Sequence, residues 1–386
     1  MLFNSVDFLF IFLPIVFAVY YALSRLTQRW SVLWLVGCSL YFYAAWKPGY
    51  LLIILASIVI NFFIGRMLAS EAHDEVTRKL VLAVGVSGNL GALAYYKYTG
   101  FLLENLEALL DRSFSAPDIV LPLAISFFTF QQIAYLSDAY RGLCREYDFA
   151  SYSLFVTFFP QLIAGPIVHH SEMLPQFATP QARRIDPARL ALGFSILGVG
   201  LFKKVVIADG VAPYSTAIFA LADAGDPIGT SQAWGAALAY TFQLYFDFSG
   251  YSDMAVGAAH LFGITLPMNF FSPYKSTNII EFWRRWHITL SRFLRDYLYI
   301  ALGGNRRGRA RRYLNLMITM LLGGIWHGAG WNFLIWGGLH GTYLVANHGW
   351  RAIRGRILPR AVIDNPAYSV IAWGITFLAV IIGWVF

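Results

Sequence analysis

The sequence predicts an all-α polytopic membrane protein, and three observations carry that prediction. Of its 386 residues 58% are hydrophobic and only 13% charged, against about 45–50% apolar and about 25% charged in soluble domains. Apolar runs approaching the roughly 20 residues of a membrane span recur along the chain, most clearly at Phe8–Leu23, Tyr50–Ile64, Leu190–Ile207 and Ile371–Phe386. Basic residues gather between the runs, which marks cytoplasmic loops. Lipid leaves only helices or closed barrels, and these runs are far longer than barrel strands.

The first span, near 8–23, follows Asp7 and precedes Arg25 and Arg29. That order predicts an uncleaved helix with its N-terminus outside and its end in the cytoplasm, not a signal peptide. Further spans are expected near 31–46, 50–65, 80–96 and 121–139. Arg66, Arg78/Lys79, Arg141/Arg145 and Arg183/Arg184/Arg189 all fall on the cytoplasmic side. Tyr152–Val168 is apolar but has basic flanks on both sides, so a full crossing would place one flank outside. Its Pro160, Gly165 and Pro166 break helices, and a re-entrant segment around a polar cavity resolves the conflict. After a span near 190–208, the stretch 209–231 has acids but no Lys or Arg, and it faces outside. Spans near 234–263, 313–326, 331–347 and 371–386 complete the reading as one membrane-embedded domain over 1–386. The last run ends at Phe386 without a polar flank, which predicts a C-terminally truncated chain.

The net charge of +8 lies between hydrophobic segments and serves topology and a possible anionic ligand, not nucleic acid. Cys38 and Cys144 are too few and too far apart for a disulfide framework or a metal site.

Chemistry concentrates near the C-terminus. In EFWRRWHITLSRFLRDYLYI, 281–300, apolar residues recur every three or four positions and predict one amphipathic helix. Arg284, His287, Ser291 and Arg295 share another face, with His287 and Ser291 as i,i+4 neighbours. This is either an interfacial helix whose arginines meet lipid phosphates or the lining of a route for an anionic ligand. Its neighbour Arg285 adds to the same basic surface. GGIWHGAGWNFLIWGGLHG, 323–341, sets His327 and His340 among glycines and tryptophans at the far turn of a helical hairpin. Buried histidines are often satisfied by structural partners. Intramembrane ionisable groups, however, tend to mark pathways or catalytic residues, and a neutral imidazole could act as a general base. Asp247 and Asp253 in YFDFSGYSDMAVG are read as structural pairing residues, with proton transfer the alternative. Asp138 and Arg141 form a helix-end ion pair; His169-His170 is loop-like and incidental. No metal-ligand spacing, P-loop, dinucleotide fingerprint or GxSxG elbow is present.

Six stretches together resemble one family over essentially the whole chain. They are MLFNSVDFLFIFLPI, LPLAISFFTFQQIAYLSDAYRG, FFPQLIAGPIVHH, QLYFDFSGYSDMAVG, NFFSPYKSTNIIEFWRRWHITLSRFLRDYLYIALGG and GGIWHGAGWNFLIWGGLHG. The family is the membrane-bound O-acyltransferases, in the branch that O-acetylates alginate and peptidoglycan. The resemblance implies a ring of helices with re-entrant segments around a central tunnel and funnel, in a bacterial inner membrane. It implies His327 as the catalytic base and His287 as the second catalytic residue. Arg284, Arg285, Ser291, Arg295, Trp326 and Asn332 would bind the donor or line its tunnel; His340 ranks below His327. The donor would be acetyl-CoA, a substrate and not a bound cofactor. The acceptor would be an exported or cell-wall polysaccharide, reached with a periplasmic SGNH-type transferase. Two alternatives stay open: a teichoic-acid D-alanyl transferase fed by a carrier protein, and a transporter of an anionic solute, for which no inverted repeat is evident.

Overall fold

The computed structural model describes residues 1–114, 119–144, 148–179 and 184–386; Arg145 and Arg183 lie outside the described residues. Among these the regular structure is entirely helical. Among the described residues four stretches are long and apolar enough to cross a membrane: Asp7–Ser24, Pro48–Ala69, Pro187–Asp223 and Pro366–Trp384. They coincide with the four clearest apolar runs of the sequence. The other expected spans are helices too, with more polar side chains; the fifth, for example, buries Thr129, Gln131, Gln132 and Asp138.

Contacts divide the chain into two compact units, Met1–Leu201 with Tyr251–Pro267, and Phe202–Gly250 with Met268–Phe386. The first unit contains α1 (Leu13–Ser24), α2 (Gln28–Ala44), α3 (Leu51–Ala69), α4 (Glu75–Leu110) and α5 (Ile125–Tyr140). It continues with α6 (Phe149–Thr157), α7 (Phe159–Leu162), α8 (His170–Ala178) and α9 (Pro187–Leu201). Its core is aromatic: Phe8, Phe12, Phe42 and Phe159 have ring centroids 5.3–6.0 Å apart.

The Tyr152–Val168 stretch is broken as its Pro and Gly predict. Helix α6 stops at Phe158 and α7 restarts with Pro160 in its first turn. Residues 152–162 are buried throughout. Protein side chains, not a polar cavity, cover this irregular backbone, and they also satisfy it. Ser39 Oγ accepts from the Phe159 N–H at 3.1 Å, and Gln161 Nε2 donates to the Phe155 carbonyl at 2.7 Å. Asp138 meets Arg141 at 3.8 Å, as expected, but it also lies 3.4 Å from His170 Nδ1. His170 is therefore no loop residue: it opens α8 and is buried beside a carboxylate. A local sequence pattern cannot reveal a partner 32 positions upstream.

The second unit contains α10 (Asp209–Asp223), the 230–250 part of α11 (Thr230–Leu261), α12 (Ile279–Arg285) and α13 (Ile288–Phe293). After them come α14 (Gly308–His327), α15 (Trp331–Ile357), α16 (Arg360–Ile363) and α17 (Pro366–Trp384). The acidic 209–231 stretch is helical as far as Asp223, continuing α9 through a π-helical turn, Phe202–Ala208. This 37-residue helical stretch is about 55 Å long at ~1.5 Å per residue, more than the ~30 Å apolar core of a bilayer. Lys204 in the turn donates to Asp209 at 2.7 Å and to Asp247 at 2.6 Å, which gives Asp247 the pairing role expected of it.

Helices α14 and α15 form a hairpin closed by Gly328–Gly330. They touch backbone to backbone: a Cβ on Gly324 would sit 2.2 Å from the Phe333 carbonyl oxygen, and one on Gly337 2.5 Å from that of Met320. Small residues permit this approach, which packing between membrane helices exploits.

Candidate functional site

The stretch 281–300 is not one helix. It breaks after Arg285: Trp286 is extended and His287 takes a left-handed conformation with φ 41°. That region costs a non-glycine residue roughly 1–2 kcal/mol, and such strain persists where surrounding structure enforces it. The enforcing element is residues 269–271. The Phe271 N–H donates to the Arg285 carbonyl and the Ile288 N–H to the Asn269 carbonyl, both at 2.9 Å. The Asn269 side chain completes the clamp. Its Oδ1 accepts from Thr289 N–H at 3.3 Å and Thr289 Oγ1 at 2.9 Å, and lies 3.1 Å from His287 Nδ1. Helical periodicity alone missed this long-range competition for backbone groups.

The clamp also sets the imidazole's proton. A backbone N–H can only donate, so the Asn269 atom it meets is the oxygen, and Nδ1 must donate to that oxygen. Neutral His287 therefore carries its lone pair on Nε2, which is buried and has no hydrogen-bond partner among the described residues. Asn269→Ala should lower thermal stability in detergent by about 1–3 kcal/mol for each buried donor left without its acceptor. A melting temperature equal to wild type would show that the clamp does not hold the break.

His327 closes α14 and is exposed, whereas His287 is 1% exposed. Both pack against Trp326, with ring centroids 4.8 Å away for His327 and 6.4 Å for His287. Trp336 of α15 stands on His327 at 4.9 Å and on His340 at 4.9 Å. The structure thus gathers three histidines and two tryptophans into one ladder. Phe248 and Phe270 complete the wall around His287, at 4.8 and 6.3 Å.

The remaining expected site residues separate. Ser291 stays one turn after His287, its N–H donating to the His287 carbonyl at 3.0 Å and its Oγ to the Trp286 carbonyl at 3.4 Å; the break separates both from Arg284. Arg285 is paired with Glu281 at 2.6 Å and lies over Phe271. Arg295 forms two bonds to Asp296, at 2.7 and 3.0 Å. Asn332 is exposed in the first turn of α15. Arg284 alone of the three arginines opens onto a cleft, of ≈ 940 Å³, between α12, α15 and α17. Arg351 and Arg354, which are not among the expected site residues, share that cleft. Among the described residues no group of three or more His, Cys, Asp or Glu is placed to hold a metal ion.

Comparison with known proteins supplies the chemistry. Residues 139–382 match the membrane-bound O-acyltransferase (MBOAT) family. The whole chain is 44% identical to the peptidoglycan O-acetyltransferase of Helicobacter pylori and covers 76% of that protein. It is 41% identical to the probable alginate O-acetylase AlgI of Azotobacter vinelandii, again over the whole chain and 74% of the relative. A more distant relative, the teichoic acid D-alanyltransferase of Streptococcus thermophilus, is 30% identical over 59% of this chain and 57% of its own length. The chain belongs to the membrane-bound O-acyltransferase family and is a membrane-bound acyltransferase.

Proposed function

We propose that the protein moves an acyl group, acetyl in the first instance, from a cytoplasmic thioester to an exported or cell-wall polysaccharide such as alginate or peptidoglycan. The observation that carries this reading is the pairing of an exposed and a buried histidine on one tryptophan, Trp326. The acceptor hydroxyl attacks the thioester carbonyl carbon while His327 takes its proton. The C–S bond then breaks, and the proton passes to the departing sulfur, leaving an ester and a free thiol. His287, with its lone pair on Nε2, can accept only from an N–H of the donor's arm, since the acetyl thioester itself has no hydrogen to donate. In its neutral form it has no free N–H with which to polarise the carbonyl, so the polarising role requires a protonated ring.

Acetyl-CoA is the proposed donor, with its phosphates on Arg284 and its neighbours; Arg forms such charge-assisted bonds well. Arg285 and Arg295 already have acidic partners and contribute field more than contact. The proposed setting is a bacterial inner membrane with a periplasmic N-terminus, and a periplasmic SGNH-type transferase passes the acetyl group to the polymer. The relationship to D-alanyltransferases supports a second reading, in which a carrier protein presents the thioester. Family membership removes the support for a solute transporter.

Membranes containing the protein should move label from acetyl-CoA to polysaccharide, and should not do so from a D-alanyl thioester on a carrier protein. Label arriving only from the carrier favours the second reading; transfer from neither donor overturns the acyl-transfer scheme.

A further inference from the structure

The span near 313–326 is preceded by residues 303–312, a stretch with five arginines and no acid. Topology asks only for the number of such charges; here their geometry is fixed as well. Fully buried Asn315 donates from Nδ2 to the carbonyls of Leu302 at 3.2 Å and Gly304 at 2.9 Å, which fastens the loop to the start of α14. Gly304 and Gly308 turn the chain with φ of 55° and 86°, conformations that glycine adopts at little cost. Arg312 is half-buried, with its Nη2 2.8 Å from His348 Nδ1. Arg306, Arg307, Arg309 and Arg311 stay exposed, and none of the four has a carboxylate partner among the described residues.

Four guanidinium groups held this close repel one another, and cations at a helix start also oppose its dipole. The first turn of α14 holds no acid, so nothing among the described residues offsets the charge. An anion from outside the chain would. The helix face below the arginines says which kind. From Arg311 that face continues through Leu314, Ile318, Leu322 and Ile325, at the three- and four-residue spacings of one helix side. Leu314 is 48% exposed, Leu322 43% and Ile325 37%. From Leu314 to Ile325 is about 17 Å at ~1.5 Å per residue, close to the ~15 Å of one leaflet, half of the ~30 Å apolar core. The occupant therefore has an anionic head and an apolar body one leaflet deep.

We propose that Arg306, Arg307, Arg309 and Arg311, with the outward face of α14 below them, form a binding site for an anionic phospholipid. The headgroup phosphate accepts charge-assisted bonds from the guanidinium groups, and the acyl chains lie along Leu314, Leu322 and Ile325. Basic clusters at the end of a span recognise anionic headgroups in this way. A soluble phosphate or nucleotide would satisfy the arginines but leave the apolar face unused, and an acidic protein would not reach into the bilayer. The site shares no residue with the cleft of Arg284, Arg351 and Arg354, and it does not depend on the acyl-transfer reading.

The test titrates the full chain, in detergent micelles, with fluorescent phosphatidylglycerol and with its zwitterionic counterpart, phosphatidylcholine. Wild type should bind the anionic lipid more tightly by at least about tenfold. A basic residue near a membrane surface contributes about fivefold in affinity, so the double variant Arg309→Gln, Arg311→Gln should weaken phosphatidylglycerol binding roughly 25-fold. Its phosphatidylcholine binding and its melting in detergent alone should match wild type, since both side chains are exposed. If the double variant proves unfolded, Arg309→Gln alone gives the same reading at about fivefold. Removing two equally exposed arginines elsewhere, Arg25→Gln with Arg29→Gln, should leave the affinity near wild type. Unlabelled phosphatidylglycerol should displace the bound lipid, and glycerol phosphate, a head without tails, should not. Equal affinity for the two lipids, no loss in the folded double variant, or an equal loss in the Arg25/Arg29 variant overturns the site. Displacement by glycerol phosphate as readily as by lipid overturns the lipid as its occupant.

Discussion

His327→Ala lowers acyl transfer by about 10²–10⁴-fold, the usual contribution of a positioned general base, while the protein still folds. The side chain is exposed at the last position of α14, so its removal opens no interior cavity. Its ring packs on Trp326 and Trp336, and each of these has other aromatic neighbours, His287 and His340 among them. Binding of a non-transferable donor analogue should persist, because the arginine-lined cleft lies at the opposite end of α15. The measurement is label transfer in membranes, alongside thermal stability and analogue binding. A variant that transfers at the wild-type rate removes His327 from the proton step. One that loses analogue binding together with activity assigns it to donor contact instead.

The second large effect falls on two adjacent glycines and has opposite signs. Gly337→Ala places a Cβ 2.5 Å from the Met320 carbonyl oxygen and 3.1 Å from Leu321 Cα. Backbone atoms cannot swing aside, so α14 and α15 must separate. Overpacking typically costs about 1–3 kcal/mol, and rigid neighbours place this substitution at the upper end. Trp336 adjoins the substituted position and carries the contact to His327, so activity should fall with stability. Gly338→Ala meets only Leu321 Cδ2, at 3.8 Å, an ordinary contact. There alanine should stabilise the helix by roughly 0.5–1 kcal/mol through backbone entropy. Melting of the two variants in the same detergent decides the matter; equal shifts would show that the hairpin is not held by backbone contact.

Much of this architecture was legible because lipid imposes a coarse rule. Long apolar runs must be helices, so Phe8–Leu23 and Ile371–Phe386 could be placed from composition alone. Pro160 and Gly165 likewise announced a broken segment, since their backbone constraints are local. His327 and His340 stood out as ionisable groups among apolar neighbours. What stayed hidden depends on partners distant in sequence. The 281–300 periodicity was satisfied equally by one helix or by two short ones, and only the bonds from Asn269 and Phe271 decide between them. That decision leaves His287 and Ser291 one turn apart and separates them from Arg284. The fates of Arg285 and Arg295 were within reach, because Glu281 and Asp296 are near neighbours in sequence. Arg351 and Arg354 were hidden for another reason: the charge asymmetry that reports topology is indifferent to which arginines face a cleft.

The interruption at Trp286–His287 has a mechanical consequence. An unbroken rod transmits a push at one end to the other; two short rods joined at an extended residue do not. Helix α12, whose first turn and Arg284 border the cleft, is not continuous with α13, and the joint between them is pinned by the amide of Asn269. The aim of the imidazole at the joint is thereby set by Asn269 rather than by either rod, a bearing fixed apart from the levers it joins.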